Sequence, residues 1–111
     1  MSKYGAQKTT FQGRQFDSKK EAERFAYLRY MQMGKLIADL ECQVKYELIP
    51  NQKDENGKVI ERAVTYIADF VYTDLKTGEK VVEDAKGVKT KEYIIKRKLM
   101  LHVHGIRIRE V

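Results

Sequence analysis

The sequence has a single cysteine, a single proline and no apolar run approaching the ~20 residues that would cross a bilayer as a helix. Cys42 alone excludes an intrachain disulfide, and its place in an alternating apolar stretch suits a small buried hydrophobe rather than a reactive thiol. The start, Met1-Ser2-Lys3-Tyr4-Gly5, lacks the apolar centre of a signal peptide, so a soluble cytoplasmic protein in a reducing setting is expected. Internal repeats and low-complexity tracts are missing too. With 111 residues, 42% of them apolar, there is material for one modest core and not for two. The expected organisation is a flexible basic arm over residues 1–10 and a single domain over residues 11–111.

The net charge of +6 is unevenly distributed. Residues 1–20 carry five basic and one acidic side chain, residues 86–111 eight and two, and the centre, 21–85, nine and thirteen. Basic ends therefore flank an acidic middle. The ends suit phosphate contacts with a polyanion, whereas clustered carboxylates repel phosphate unless a cation lies between them. A basic balance alone fits a solvated surface equally well, so particular residues have to decide.

Residues 10–16 predict a short hairpin around Gln12-Gly13. A first helix is expected from Asp17 or Ser18 to Gly34 at the C′ position, with Ala22, Phe25, Ala26 and Arg29 on its packing face. From residue 40 to 48 the period becomes two. Leu40, Cys42, Val44, Tyr46 and Leu48 are expected on one face of a half-buried strand. A loop with an Asn56-Gly57 turn precedes a long second strand over residues 59–72, and a third strand over residues 80–86 completes a meander. Thr90 is placed to cap a second helix over residues 91–104, with Ile95, Leu99 and Val103 as its apolar stripe and Gly105 as its end. Residues 106–111 alternate and predict a fourth strand returning to the sheet.

The hairpin between Asp69 and Lys86 carries the chemistry. If residues 75–78 form its loop, Asp74 faces Glu79, Val71 faces Val82 and Asp69 faces Asp84. Directly opposed residues on antiparallel strands have Cβ atoms ~5 Å apart on one face, and Lys86 shares that face two residues on. Opposed carboxylates repel, and a divalent cation relieves them. A hard ion such as Mg²⁺ prefers all-oxygen ligands, lowers the pKa of a bound water and stabilises charge on a phosphate; an adjacent lysine helps position that water. The residue types match phosphodiester hydrolysis.

Asp69, followed by Asp84-Ala85-Lys86, resembles the signature of the PD-(D/E)XK nuclease superfamily. The closest resemblance is to a family of short, mostly phage and prophage proteins of undefined function. It is carried by Phe16-Asp17-Ser18-Lys19-Lys20-Glu21-Ala22-Glu23-Arg24, Tyr66-Ile67-Ala68-Asp69-Phe70 and Val82-Glu83-Asp84-Ala85-Lys86-Gly87-Val88-Lys89-Thr90, and it covers residues 3–111. It implies an α/β fold with a restriction-endonuclease-like αβββαβ core, a mixed four-stranded sheet flanked by helices. It also implies Mg²⁺, with Mn²⁺ able to substitute. Asp69, Asp84 and the main-chain carbonyl of Ala85 would bind the metal, Lys86 would be the catalytic lysine, and Glu21 would be the additional acidic residue beside the metal. Ala68 stands where the motif's name has proline.

Each of these has a plainer reading. Ser18-Lys19-Lys20-Glu21 also matches a capping box, with Glu21 reaching back to the Ser18 amide. Glu83 is turned by alternation away from Asp84, toward a surface or supporting role. Lys96-Arg97-Lys98 fits the solvated side of a helix; with a nuclease, these three and Lys89 and Lys91 fit DNA-backbone contacts, and Gln43 points toward the same cleft. His102 and His104, two apart on a helix, make no zinc pair. Tyr66, Tyr72 and Tyr93 are expected in packing roles. The expected activity is Mg²⁺-dependent endonucleolytic hydrolysis of DNA, selective for structure in the manner of a four-way-junction resolvase, in phage recombination or DNA processing in the host cytoplasm. A homodimer is expected, since cutting both strands needs two sites. The competing expectation is a non-catalytic nucleic-acid-binding or interaction protein on a nuclease scaffold.

Overall fold

The computed structural model describes residues 9–11, 14–85 and 88–111. Most of the expected arm, residues 1–8, lies outside them, as does the Gln12-Gly13 turn. On either side of residues 12 and 13, β1 (Thr9–Phe11) and β2 (Arg14–Phe16) pair antiparallel as expected. Ser18 then caps α1 (Lys19–Met33), its Oγ accepting the Glu21 amide at 3.1 Å. The helix closes with Lys35 N–H on the Gln32 carbonyl and Leu36 N–H on that of Met31, the two bonds of a Schellman end. Gly34 is therefore one position short of C′, at φ −80, and Lys35 takes the left-handed conformation at φ 61. The packing face also differs from expectation. Glu21, Ala22, Phe25 and Leu28 are buried, whereas Ala26 is half-buried and Arg29 exposed. Phe25 anchors this face between Phe16 and Phe70, with ring centroids 5.0 and 6.3 Å away, and Leu28 one turn on extends it.

The sheet begins with β3 (Ile37–Ile49). A small ribbon of β4 (Gln52–Lys53) and β5 (Val59–Glu61) follows, turning at Gly57, whose φ is 83. The long second strand is thus divided: β6 (Val64–Asp74) starts after a break in which Asn51 Oδ1 accepts the Ala63 amide at 2.7 Å. β7 (Lys80–Asp84), α2 (Lys91–His104) and β8 (Arg109–Glu110) complete the chain. The four-stranded sheet has the order β3-β6-β7-β8, antiparallel except for the parallel pair β7 and β8. The fold is a mixed α/β arrangement of this sheet with two helices. No helix among the described residues is long and apolar enough to cross a membrane.

Two apolar clusters cover the sheet. One gathers α1 with Phe70, Tyr72 and Val81; the other gathers Tyr66, Val71 and Val82 with Tyr93 and Met100 of α2. The buried face of α2 is the Tyr93 and Met100 pair, not the expected stripe: Leu99 is half-buried, but Ile95 (58%) and Val103 (46%) are exposed. The helix has apolar residues on more than one side, and the Tyr66 ring, 6.4 Å from that of Tyr93, selects the side that packs. β3 departs further. Leu40 and Cys42 pack with the α1 cluster, whereas Val44, Tyr46 and Leu48 pack with the α2 cluster. The change falls at Gln43, which is held at φ 55 in mid-strand, and β6 changes sides with it between Ala68 and Phe70.

Candidate metal centre

The β6–β7 turn sets the register as expected. Asp74 N–H bonds the Glu79 carbonyl at 2.8 Å, Gly78 adopts φ 77, and the ladder pairs Val71 with Val82 and Phe70 with Glu83. One step beyond the last pair, that register puts Asp69 opposite Asp84. Here Asp69 Oδ2 accepts the Ala85 amide at 2.7 Å, tying the strand ends together. Asp84 is 1% exposed. Its Oδ2 accepts the Tyr66 hydroxyl at 2.6 Å, and its Oδ1, fully buried, has no hydrogen-bond partner among the described residues. An ionised carboxylate left half-satisfied in the interior is costly, and a proton or a cation relieves it.

Two further residues converge on the pair. β3 pairs Cys42 with Phe70 and Val44 with Ala68, so Gln43 falls opposite Asp69. Its Nε2 donates to Glu21 Oε1 at 2.8 Å and approaches Asp69 Oδ1 at 3.5 Å. A non-glycine residue in the left-handed region typically costs ~1–3 kcal/mol, and here that conformation aims the amide between two carboxylates. Glu21 is buried, and its carboxyl is pushed up to about 7 by burial first, then by Asp69, Asp17 and Asp84, against a hydrogen bond from the Asp17 backbone. The Ser18 half of the capping box is formed, and the Glu21 carboxylate reaches back to the Asp17 backbone as well as facing Gln43 and the aspartates.

The donor set fits a hard divalent cation. It is all oxygen, it includes a buried oxygen without a partner among the described residues, and Asp69 and Asp84 both raise the cost of ionising Glu21. Among the described residues no three His, Cys, Asp or Glu side chains form a ready-made cage. Mg²⁺ does not require one, since it keeps several waters and takes one or two carboxylates. Lys86 lies outside the described residues.

The basic residues singled out in the sequence lie around α2. Lys96 pairs with Glu92 at 3.1 Å, Lys89 and Arg97 each reach Glu110 at 3.1 Å, and Lys91 and Lys98 are exposed. His104 Nε2 lies 2.7 Å from the Glu47 carbonyl and beside the Tyr46 ring. Sequence reasoning missed the hydroxyl roles. Tyr66 holds Asp84, Tyr93 donates to Glu110 at 2.7 Å, and Tyr72 donates to Glu83. The available signal was a phenol beside a carboxylate on an inward-facing strand position, since a buried tyrosine hydroxyl needs a partner. Glu83 does face away from Asp84 but is fully buried rather than on the surface, gripped by Arg24 through Nε at 2.8 Å and a second nitrogen at 2.7 Å.

No curated protein and no solved structure matches the chain. A family model described as a protein of unknown function (DUF1064) matches residues 1–109, and the chain belongs to that family.

Proposed function

We propose that the protein is a Mg²⁺-dependent DNA endonuclease of the PD-(D/E)XK type, with a restriction-endonuclease-like core. The observation that carries this reading is the buried Asp84 Oδ1 beside Asp69, which has no hydrogen-bond partner among the described residues. Asp69 and Asp84 would hold the cation, with the Ala85 carbonyl as a further ligand and Glu21 alongside. Bound there, Mg²⁺ would lower the pKa of a coordinated water and stabilise charge on the attacked phosphate. The chain's own contribution is positional. Tyr66 fixes the Asp84 carboxylate by one oxygen and leaves the other for a ligand, while the Ala85 amide fixes Asp69. Glu21, poised near neutrality, is able to hold or release a proton beside them. Lys86, two residues after Asp84, is assigned the role of stabilising charge at the phosphate. Lys89, Lys91, Lys96, Arg97 and Lys98 supply backbone contacts. Four-way junctions cut by a homodimer, in phage recombination or DNA processing, are the preferred substrate and assembly.

The test incubates the protein and its Asp84→Ala variant with supercoiled plasmid, linear duplex, flap and four-way-junction DNA in Mg²⁺ or Mn²⁺. Cleavage by the wild type that disappears in the variant is expected. Equal inactivity of both on every substrate refutes the reading, and cleavage surviving Asp84→Ala refutes the site.

A further inference from the structure

Near the end of the chain, three donors, two on α2 and one just before it, converge on one carboxylate. Glu110 of β8 receives Tyr93 Oη at 2.7 Å, Arg97 at 3.1 Å and Lys89 Nζ at 3.1 Å. Together they hold its carboxyl down to about 2, the Tyr93 hydroxyl contributing most. An exposed ion pair normally contributes little, and one carboxylate neutralises only one of two cations here. Arg97, Lys98 and Arg107 also line a groove of ≈ 260 Å³, with no acidic residue among the described residues of its lining. The site adjoins the candidate metal centre: β8 pairs Glu110 with Asp84, and the Val111 amide bonds the Asp84 carbonyl at 3.0 Å. Adjacent strands lie ~4.8 Å apart, so a phosphate here would belong to the same stretch of backbone as one at Asp84.

A lysine, an arginine and a phenol around a single anion are the donors that hold a phosphate diester. Glu110 itself reaches solvent, as do Lys89 and Arg97, so exchange requires no unfolding. We propose that Lys89, Tyr93 and Arg97 form a binding site for a nucleic-acid backbone phosphate that Glu110 occupies in the free chain, making Glu110 an internal competitor for DNA. The proposal rests on the nucleic-acid reading above and adds to it a built-in brake on binding.

The test is binding of a fluorescent duplex oligonucleotide in EDTA, followed by anisotropy over a salt series. Glu110→Gln, which keeps an acceptor for Tyr93, is expected to bind about tenfold tighter at low salt. Its log–log salt slope is expected to steepen by about 1, at roughly one unit for the single phosphate the site takes up. Adding Lys89→Ala and Arg97→Ala should abolish the gain. Glu23→Gln, which removes the same charge from α1, should give little of it. If Glu110→Gln does not fold by circular dichroism, Glu110→Asp, whose carboxylate stops a methylene short of Tyr93, should gain in the same direction.

Unchanged or weaker binding by the Glu110 variants, an equal gain in Glu23→Gln, or no binding by any form overturns the proposal. So does displacement of the duplex by millimolar inorganic phosphate at matched ionic strength, which marks a free-anion site. Cleavage in Mg²⁺ without a gain in Glu110→Gln sinks the competitor and spares the nuclease; a gain without cleavage does the reverse.

Discussion

Tyr66 and Asp84 share a buried hydrogen bond of 2.6 Å that satisfies one carboxylate oxygen and leaves the other without a partner among the described residues. Burial first, and then this bond, hold the tyrosine hydroxyl far above its usual range, so it remains a donor throughout the working pH range. Tyr66→Phe should cost about 1–3 kcal/mol by taking from the buried carboxylate the hydrogen bond that satisfies its Oδ2. Asp84→Asn keeps the shape and an acceptor for Tyr66 while removing the charge, so it should be neutral or stabilising in metal-free protein. Urea unfolding of the two single variants and the double in EDTA measures the coupling. Additive single effects would mean that the bond contributes nothing specific.

Glu21 predicts a pH dependence. Its folded carboxyl is raised from 4.5 to about 7, so the folded chain holds this proton where the unfolded chain has released it. Relative stability is therefore full below pH 4.5 and lost as pH rises to about 7, by about 3 kcal/mol at roughly 1.4 kcal/mol per unit. Glu110, held down to about 2, acts in a separate window and with opposite sign: its contribution is present above pH 4.5 and lost toward pH 2. Unfolding in EDTA at pH 4.5 to 8 should show the decline in wild type and a flatter profile in Glu21→Gln. Parallel profiles would count against the assignment.

The C-terminal end of α1 gives a prediction remote from any chemistry. Lys35 at φ 61 occupies the left-handed position, while Gly34 at φ −80 needs no glycine and has Tyr30 O 3.5 Å from where a Cβ would sit, an ordinary contact. Lys35→Gly should stabilise by about 0.5–1 kcal/mol and Gly34→Ala should be tolerated or mildly stabilising. Thermal melts decide. A destabilised Lys35→Gly would mean that the lysine side chain makes a compensating contact.

How much of this was legible in the sequence differs residue by residue. The Asp69–Asp84 register was readable because a four-residue turn ending at Gly78 fixes every later pair. The side-switch at Gln43 was not, since alternation of Leu40 through Leu48 looks unbroken and a left-handed glutamine in a strand has no local signature. The α2 face was misread because Ile94, Ile95, Leu99, Met100, Leu101 and Val103 offer several stripes, and only contact with Tyr66 and the sheet chooses one. Alternation correctly turned Glu83 away from Asp84. Its partner Arg24 lies 59 residues earlier, beyond anything periodicity reports.

That partnership gives the last prediction. Glu83 is fully buried and accepts a two-pronged grip from Arg24 together with the Tyr72 hydroxyl, which itself receives Arg109 at 3.2 Å. Burial first, and then the Glu83 bond, push the Tyr72 hydroxyl up to about 12. The network ties α1, β6, β7 and β8 together directly beside Asp84. Removing one partner of a buried pair leaves an uncompensated charge, so Arg24→Met should cost about 3–5 kcal/mol. Adding Glu83→Leu removes that charge and should recover part of the loss, although Tyr72 then keeps only Arg109. Denaturant unfolding of wild type, single and double variants separates the two origins of the cost. A double variant less stable than Arg24→Met would show that packing and the Tyr72 bond, rather than the stranded carboxylate, dominate at this site.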